Sequence, residues 1–153
     1  MIEVYKDLYI GSGKDLIDTN KDWYIVHAGK EPWHRNAVGY TCRALPKDHE
    51  EYLFAIRDKE LSLNIIDGSK YYYCNTVFDE AFKFIDNAEG KILVHCNQGQ
   101  SRSPSIVFLY MASKGWLSND FIEAKKEFIK LYPFWNPKGI IEWVEEHWDE
   151  YVK

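Results

Sequence analysis

From Lys91 to Tyr110 the chain reads Lys-Ile-Leu-Val-His-Cys-Asn-Gln-Gly-Gln-Ser-Arg-Ser-Pro-Ser-Ile-Val-Phe-Leu-Tyr. Ile92–Val94 has the composition of a buried strand, and the run from Ser103 onward has that of an apolar helix. The seven residues Cys96 to Arg102 must therefore turn the chain from strand to helix within a very short path. A turn of this kind aims consecutive backbone N–H groups at one point and adds the positive end of a helix dipole, so the main chain alone can hold a dianionic phosphate. Gly99 supplies the conformational freedom that so tight a path requires.

The rest of the chain follows the same alternation. Leu8–Ile10 before Gly11-Ser-Gly13, Trp23–Val26 before His27-Ala-Gly29, and Leu61–Ile66 before Asp67-Gly68 read as short strands that end in turns. Val77, Phe78, Ala81, Phe82 and Ile85 recur at helical spacing, as do Phe121, Ile122, Ala124, Phe128 and Ile129. Ser118-Asn-Asp caps the second of these helices, and a last helix is expected from about Gly139 to His147. The order strand, helix, strand, helix across Leu61–Gly115 requires a parallel crossover. The expected fold is an α/β three-layer sandwich with a central, mostly parallel sheet of four to five strands and helices on both faces. In such sheets ligands bind outside the carboxyl ends of the strands, where Asp67 and Cys96 both fall.

With 153 residues and no repeat, low-complexity tract or Pro/Gly/Ser-rich linker, residues 1–153 are expected to form one domain. A net charge of −5 argues against a nucleic-acid or anionic-membrane surface, because both need a basic patch. No apolar run approaches the length of a membrane span, and Met1-Ile-Glu-Val-Tyr-Lys has no secretory character, so a monomeric cytoplasmic protein is expected. Cys42, Cys74 and Cys96 form neither a disulfide framework nor a zinc pattern. Cys42 and Cys74 read as small buried hydrophobes, whereas Cys96 sits where a reducing compartment preserves a reactive thiolate.

A thiol at a helix N-terminus beside an arginine is expected to ionise below neutrality, which makes Cys96 a nucleophile. Attack on phosphorus spreads charge over three equatorial oxygens, and the planar guanidinium of Arg102 can bind two of them at once. An arginine at the mouth of a helix is opposed by the dipole and calls for an anion or an acidic partner. Ser103 is either a hydroxyl that stabilises the departing thiolate or a helix-start residue before Pro104. Ser101 is placed to brace the loop. His95 is either a buried core histidine or a support that hydrogen-bonds backbone near the loop.

At this point a resemblance is evident. His95-Cys96-Asn97-Gln98-Gly99-Gln100-Ser101-Arg102-Ser103-Pro104 resembles the signature loop of the cysteine-dependent dual-specificity phosphatases, small members of the protein tyrosine phosphatase superfamily. Leu8-Tyr-Ile-Gly-Ser12, Phe78–Asp86 and the residues after Phe121 resemble that family's opening strand and its two helices around the loop. Similarity is strong from about Leu61 to Leu131 and weak from Asp15 to Lys59.

The resemblance implies a phosphomonoester hydrolase, a protein phosphatase working through a phosphocysteine intermediate without metal or cofactor. It also implies a general acid, an aspartate on a mobile loop. Asp67, in the Asp-Gly-Ser segment 29 residues before Cys96, is the candidate. Asn97, Gln98, Gly99, Gln100, Ser101 and Arg102 would bind phosphate. In the family an asparagine after the following helix ties down the loop. Here the segment reads Asn136-Pro137-Lys138-Gly139, which departs from that pattern, with Asn136 as the candidate.

The neutral side chains of Asn97, Gln98 and Gln100 argue against polyphosphoinositides and RNA ends and for a phosphorylated protein. Phosphoserine, phosphothreonine and phosphotyrosine are not distinguished. The alternatives are a phosphate-binding module without turnover, a phosphatase of non-protein substrates, and a rhodanese-type sulfurtransferase. The last fits poorly because such loops are commonly one residue shorter. The segment His27–Arg35 has no counterpart in common family members and reads as an aromatic-rich structural loop.

Overall fold

Six strands are laid down in chain order: β1 (Ile2–Tyr5), β2 (Leu8–Ser12), β3 (Tyr24–Ala28), β4 (Phe54–Arg57), β5 (Glu60–Leu63) and β6 (Ile92–Cys96). The computed structural model describes residues 1–153. The spatial order is β1-β2-β6-β3-β5-β4. The four central strands run parallel, and the two edge strands pair antiparallel with their neighbours. β6 sits between β2 and β3 and is buried along its whole length, as its Ile-Leu-Val-His-Cys sequence demands of a parallel strand covered on both sides.

The sheet has six strands where the sequence suggests four to five, and the additional ones are the edges. β1 and β4 are four residues each and largely solvent-facing, so they carry little apolar signal. Both join their partners through two-residue turns, Lys6-Asp7 and Asp58-Lys59, in which the aspartate takes a positive φ (63° and 53°). Aspartate tolerates that conformation without being glycine, so the usual hairpin dipeptides are missing. β3 also extends through His27 and Ala28, so His27 belongs to a strand and not to the turn after it.

All the longer helices pack on one face of the sheet. They are α2 (Asn75–Asn87), α3 (Arg102–Ser113), α4 (Phe121–Leu131) and α5 (Ile140–Glu146), with a last turn, α6 (Trp148–Tyr151). The other face carries only short helical turns at Gly13–Asp18 and Lys30–His34, followed by α1 (Arg35–Val38). Every residue of α3 from Arg102 to Ala112 is buried, which is why this stretch is apolar on all sides. α2 buries Val77, Phe78, Ala81 and Ile85, as its periodicity requires. In α4 only part of the apolar set points inward: Ala124 and Phe128 are buried, while Ile122 and Ile129 face solvent. Asp120, rather than Ser118, caps α4 by accepting from the N–H of Glu123 at 3.0 Å.

Phe108, on α3, is the hub of this layer. Its ring lies 5.4 Å from Phe128, 4.8 Å from Trp135, 5.4 Å from Trp148 and 6.2 Å from Phe121. The chain's aromatic richness is thus spent on packing the helices that carry the Cys96–Arg102 loop. Cys74 is half-buried at the start of α2, but Cys42 is exposed and donates its S–H to the carbonyl of Ala44, so Cys42 is not a core hydrophobe. Phe108→Ala should cost about 3–5 kcal/mol in urea unfolding, since it empties the centre of an aromatic cluster too interlocked to collapse.

Candidate active site

The loop leaves β6 at Cys96 and enters α3 at Arg102, and its shape follows from where its polar groups go. None of the backbone N–H groups from Asn97 to Ser101 donates to another protein atom. The carbonyls are instead drawn outward into the protein. That of Asn97 accepts from Gly13 N–H (3.2 Å), that of Gln100 from Asn136 N–H (2.7 Å) and that of Ser101 from Ser105 N–H (3.1 Å). The Gly99 carbonyl accepts from the Tyr132 hydroxyl at 2.6 Å. A loop with four of its five carbonyls used behind it presents its donors in front, and unpaired N–H groups at a helix start are a standing demand for an anion.

Gly99 makes the turn possible. Its φ is +72°, and a Cβ there would lie 2.8 Å from the Gly11 carbonyl oxygen. Cys96, 3% exposed, is at the floor. Its sulfur is 3.2 Å from the Ser103 Oγ, which is also 3.2 Å from the Gly11 carbonyl. Arg102 is buried and donates through Nη1 to the Ile65 carbonyl at 3.3 Å, so its guanidinium is steered by the backbone just before Asp67. Asp67, Cys96, Asn97, Gln98, Gln100, Ser101, Arg102 and Asn136 line one cleft of about 350 Å³. The sequence candidates thus meet in one place.

Bracing comes from the segment after α4, through groups other than those the sequence suggests. Asn136 holds the loop by its backbone N–H, and the N–H of Lys138 donates to the Ser101 Oγ at 3.0 Å. Trp135 Nε1 donates to Ser105 Oγ at 3.0 Å. Tyr132, Trp135 and Lys138 were not sequence candidates. The two aromatics are buried in the core, and Lys138 lies in the stretch that departs from the family pattern. Lys138 also lines the cleft and adds the one cation there besides Arg102. The loop carrying Asp67 rests on the start of α5, where a Cβ on Gly139 would come within 2.2 Å of the Gly68 carbonyl. Tyr73 fixes the same loop by donating to the Ile66 carbonyl at 2.8 Å. Burial, and next the Asp67 charge, hold the Tyr73 phenol protonated.

Behind the loop lies an aromatic and imidazole cluster. His95 is wholly buried, and its Nδ1 is 3.3 Å from the Cys96 carbonyl. Trp33 stacks on His27 and meets His95 edge-on with centroids 4.6 Å apart. His34 contacts the Tyr40 hydroxyl (3.0 Å) and the Glu51 carbonyl (2.7 Å), and Arg35 reaches the carbonyls of Tyr40, Cys42 and Arg43. The His27–Arg35 segment therefore staples the long connection to β4, and Trp33 backs the loop.

The model of the dual specificity phosphatase catalytic domain matches residues 35–131. The chain belongs to this family. Among curated phosphatases, the Arabidopsis thaliana protein-tyrosine-phosphatase IBR5 is 51% identical over 43 residues, covering 26% of this chain and 17% of the relative. Dual specificity protein phosphatase 1B of the same plant is 28% identical over 115 residues, covering 73% and 60%. The chain thus spans less than two thirds of these relatives' length. Among solved structures, DUSP15 superposes with a TM-score of 0.66 at 21% identity, over 97% of this chain and 86% of that one. The human tyrosine phosphatase-like serine/threonine/tyrosine-interacting protein gives 0.65 at 19%, over 97% and 95%. At these identities the structures speak to the phosphatase fold, which the present sheet and helices share.

Two measurements check the geometry. Gly99→Ala should weaken binding of orthovanadate more than about tenfold, with the far-UV circular dichroism unchanged, because the cradle must open to admit the methyl group. Burial is also the main cause that lowers the pKa of His27, His34 and His95, the last to about 3. Unfolding returns them to about 6.5, so stability is full above that value and falls as pH drops below it. The unfolding free energy from urea titrations should be lower at pH 5.5 than at pH 7.5, by about 1.4 kcal/mol for each histidine that the fold keeps neutral over this range.

Proposed function

We propose that this chain is a phosphomonoester hydrolase that dephosphorylates proteins through a phosphocysteine intermediate, with residues 1–153 acting as one catalytic domain. The observation that carries this reading is the row of unpaired N–H groups from Asn97 to Ser101, which faces the cleft that Cys96, Arg102 and Asp67 share. A phosphoryl group seated there has its equatorial oxygens on main-chain donors and the Arg102 fork, and its phosphorus over the Cys96 sulfur.

The Cys96 thiolate attacks phosphorus in line, and the bond to the leaving oxygen breaks as Asp67 gives that oxygen its proton. The carboxylate so formed then takes a proton from water as the water attacks the phosphocysteine. Sulfur departs as a thiolate, to which the Ser103 hydroxyl donates. Positive charge comes from the loop dipoles, Arg102 and the rim cation Lys138, so the steps call for no metal.

The substrate reading rests on the cleft's side chains. Asn97, Gln98 and Gln100 are exposed and neutral, which suits one phosphate on a peptide better than a ring of several. Phosphotyrosine, phosphoserine and phosphothreonine all remain within this class. No helix is long and apolar enough to cross a membrane. We place the protein's partners among phosphorylated proteins in a reducing compartment, where the Cys96 sulfur stays reduced.

With purified protein and a set of aryl phosphates, Cys96→Ser should abolish turnover, a loss on the order of a thousandfold or more. Asp67→Ala should slow kcat about a hundredfold, most for the poorest leaving groups. Undiminished hydrolysis by the Cys96 variant would remove the covalent mechanism, and a leaving-group-independent loss at Asp67 would assign the acid elsewhere.

A further inference from the structure

Two aromatic side chains stand out into solvent beside the Cys96 cleft, Phe134 at 64% exposure and Tyr71 at 85%. Exposure of a single ring says little by itself. What distinguishes these two is the chain that carries them, since one belongs to the segment that braces the phosphate loop and the other to the loop that bears Asp67.

Phe134 faces outward because its neighbours do not. In Tyr132-Pro133-Phe134-Trp135-Asn136, Tyr132 and Trp135 turn into the core, and Pro133 stiffens the bend between them. The stretch is tied to the phosphate loop on both sides of Phe134, by the Tyr132 hydroxyl on the Gly99 carbonyl and the Asn136 N–H on the Gln100 carbonyl. The ring is thereby held in place beside the loop, edge-on to Tyr132 with centroids 5.9 Å apart. It closes a pocket of about 220 Å³ whose apolar side is Ile2, Tyr132 and Phe134 and whose polar side includes Asp15, Gln98 and Gln100. The Asp15 carboxylate already accepts from the Ser12 N–H (2.8 Å) and hydroxyl (3.4 Å), so it makes no demand for a cation there.

Tyr71 lies in the short turn Lys70–Tyr72 that follows Asp67-Gly-Ser. Its N–H donates to the Ser69 Oγ at 3.2 Å, and Tyr73 anchors the turn from within the core. The ring borders a groove with Lys70, Lys138 and Glu142. Lys70 lies over the ring, 5.4 Å from its centroid, and pairs with Glu146. Two lysines are thus matched by two glutamates, and the groove favours neither sign of charge.

The three cavities adjoin in order. Gln98 and Gln100 line both the Phe134 pocket and the Cys96 cleft, Lys138 lines both the cleft and the Tyr71 groove, and no residue lines both outer cavities. We propose that Phe134 and Tyr71 are specificity-determining residues that hold the substrate chain on the two sides of its phosphorylated residue, with the Phe134 pocket taking an apolar side chain. The proposal rests on the reading of the Cys96 cleft as the site of a protein phosphatase. A small phosphate ester fills the cleft alone, whereas a polypeptide whose phosphorylated side chain enters it must lay its neighbouring residues across the rim. At about 3.3 Å per residue of extended chain, the nearest few neighbours reach the outer cavities. An aliphatic side chain leaves water against Ile2, Tyr132 and Phe134, and an acidic one would meet Asp15. The Tyr71 ring packs on whatever stems cross it, without selecting charge. Contacts of this kind, remote from phosphorus, raise kcat/KM for the peptide and not for the small ester.

The test uses an alanine-rich phosphotyrosine peptide with leucine placed in turn at each of the three positions on either side of the phosphotyrosine, with phenyl phosphate alongside. In the wild type, leucine on one side should raise kcat/KM about tenfold over the alanine peptide, and aspartate at the same position should not. Phe134→Ala should erase that gain. Tyr71→Ala should lower kcat/KM on every peptide, on the order of threefold more than on phenyl phosphate. Both side chains are exposed, so the variants should fold, as circular dichroism would confirm. No gain from leucine at any position, a gain that survives Phe134→Ala, or losses on phenyl phosphate as large as those on the peptides, overturns the proposal. Hydrolysis of phenyl phosphate without any leucine gain sinks the two subsites and spares the phosphatase, whereas no hydrolysis of it or of any peptide sinks the phosphatase reading and the subsites with it.

Discussion

The outward hydrogen bonding of the Cys96–Arg102 loop is the constraint on which the remaining architecture converges. A loop of this length can leave five consecutive N–H groups unpaired only if its carbonyls are held elsewhere, and the holders come from three different parts of the fold. Gly13 comes from the turn after β2, Tyr132 and Asn136 from the segment after α4, and Ser105 from α3 itself. The aromatic cluster around Phe108 fixes α3, α4 and Trp135 relative to one another, so the holders cannot drift apart without emptying the core. The polar site and the apolar core are thus one mechanical unit. The energy of packing large rings is converted into the placement of a few donors.

The two faces of the sheet divide the labour. The helical face supplies rigidity and the bracing segment. The other face, thinly covered, carries His27, His95 and Glu60, arranged by strand register, with Trp33 from the helical turn Lys30–His34 laid against the two imidazoles. Tyr132, Asn136 and Ser105, which hold the Cys96–Arg102 loop, belong to the first face. The second backs the Cys96 loop with His95 and the ring of Trp33.

Much of this was legible in the sequence where local pattern and global structure agree. The strand-loop-helix at Cys96 and the stripe of α2 were readable because each is encoded within about a dozen neighbouring residues, whereas the strand before Asp67 ends at Leu63 and not at Ile66. The edge strands β1 and β4 were not, because half-exposed strands closed by Lys6-Asp7 and Asp58-Lys59 show neither continuous apolarity nor a glycine turn. Ile122 and Ile129 fit the helical period of α4 but face solvent, since a period does not say which side the core is on. The roles of Tyr132, Asn136 and Lys138 were hidden for another reason. They act partly through backbone N–H groups or a phenol at the end of a core side chain, and residue identity carries no record of where a main-chain hydrogen points.

Ser103 illustrates how little material such a site needs. Its single hydroxyl hydrogen lies within reach of two acceptors, the sulfur of Cys96 and the carbonyl of Gly11, each at 3.2 Å. One hydrogen cannot serve both at full strength. While the sulfur carries its own proton, the hydroxyl is free to tether β2. Once the sulfur is an anion, the hydroxyl turns to it and the Gly11 carbonyl is let go. Gly11 lies directly against Gly99, so the charge on one sulfur atom is felt as slack or tension in the strand that walls the opposite side of the loop.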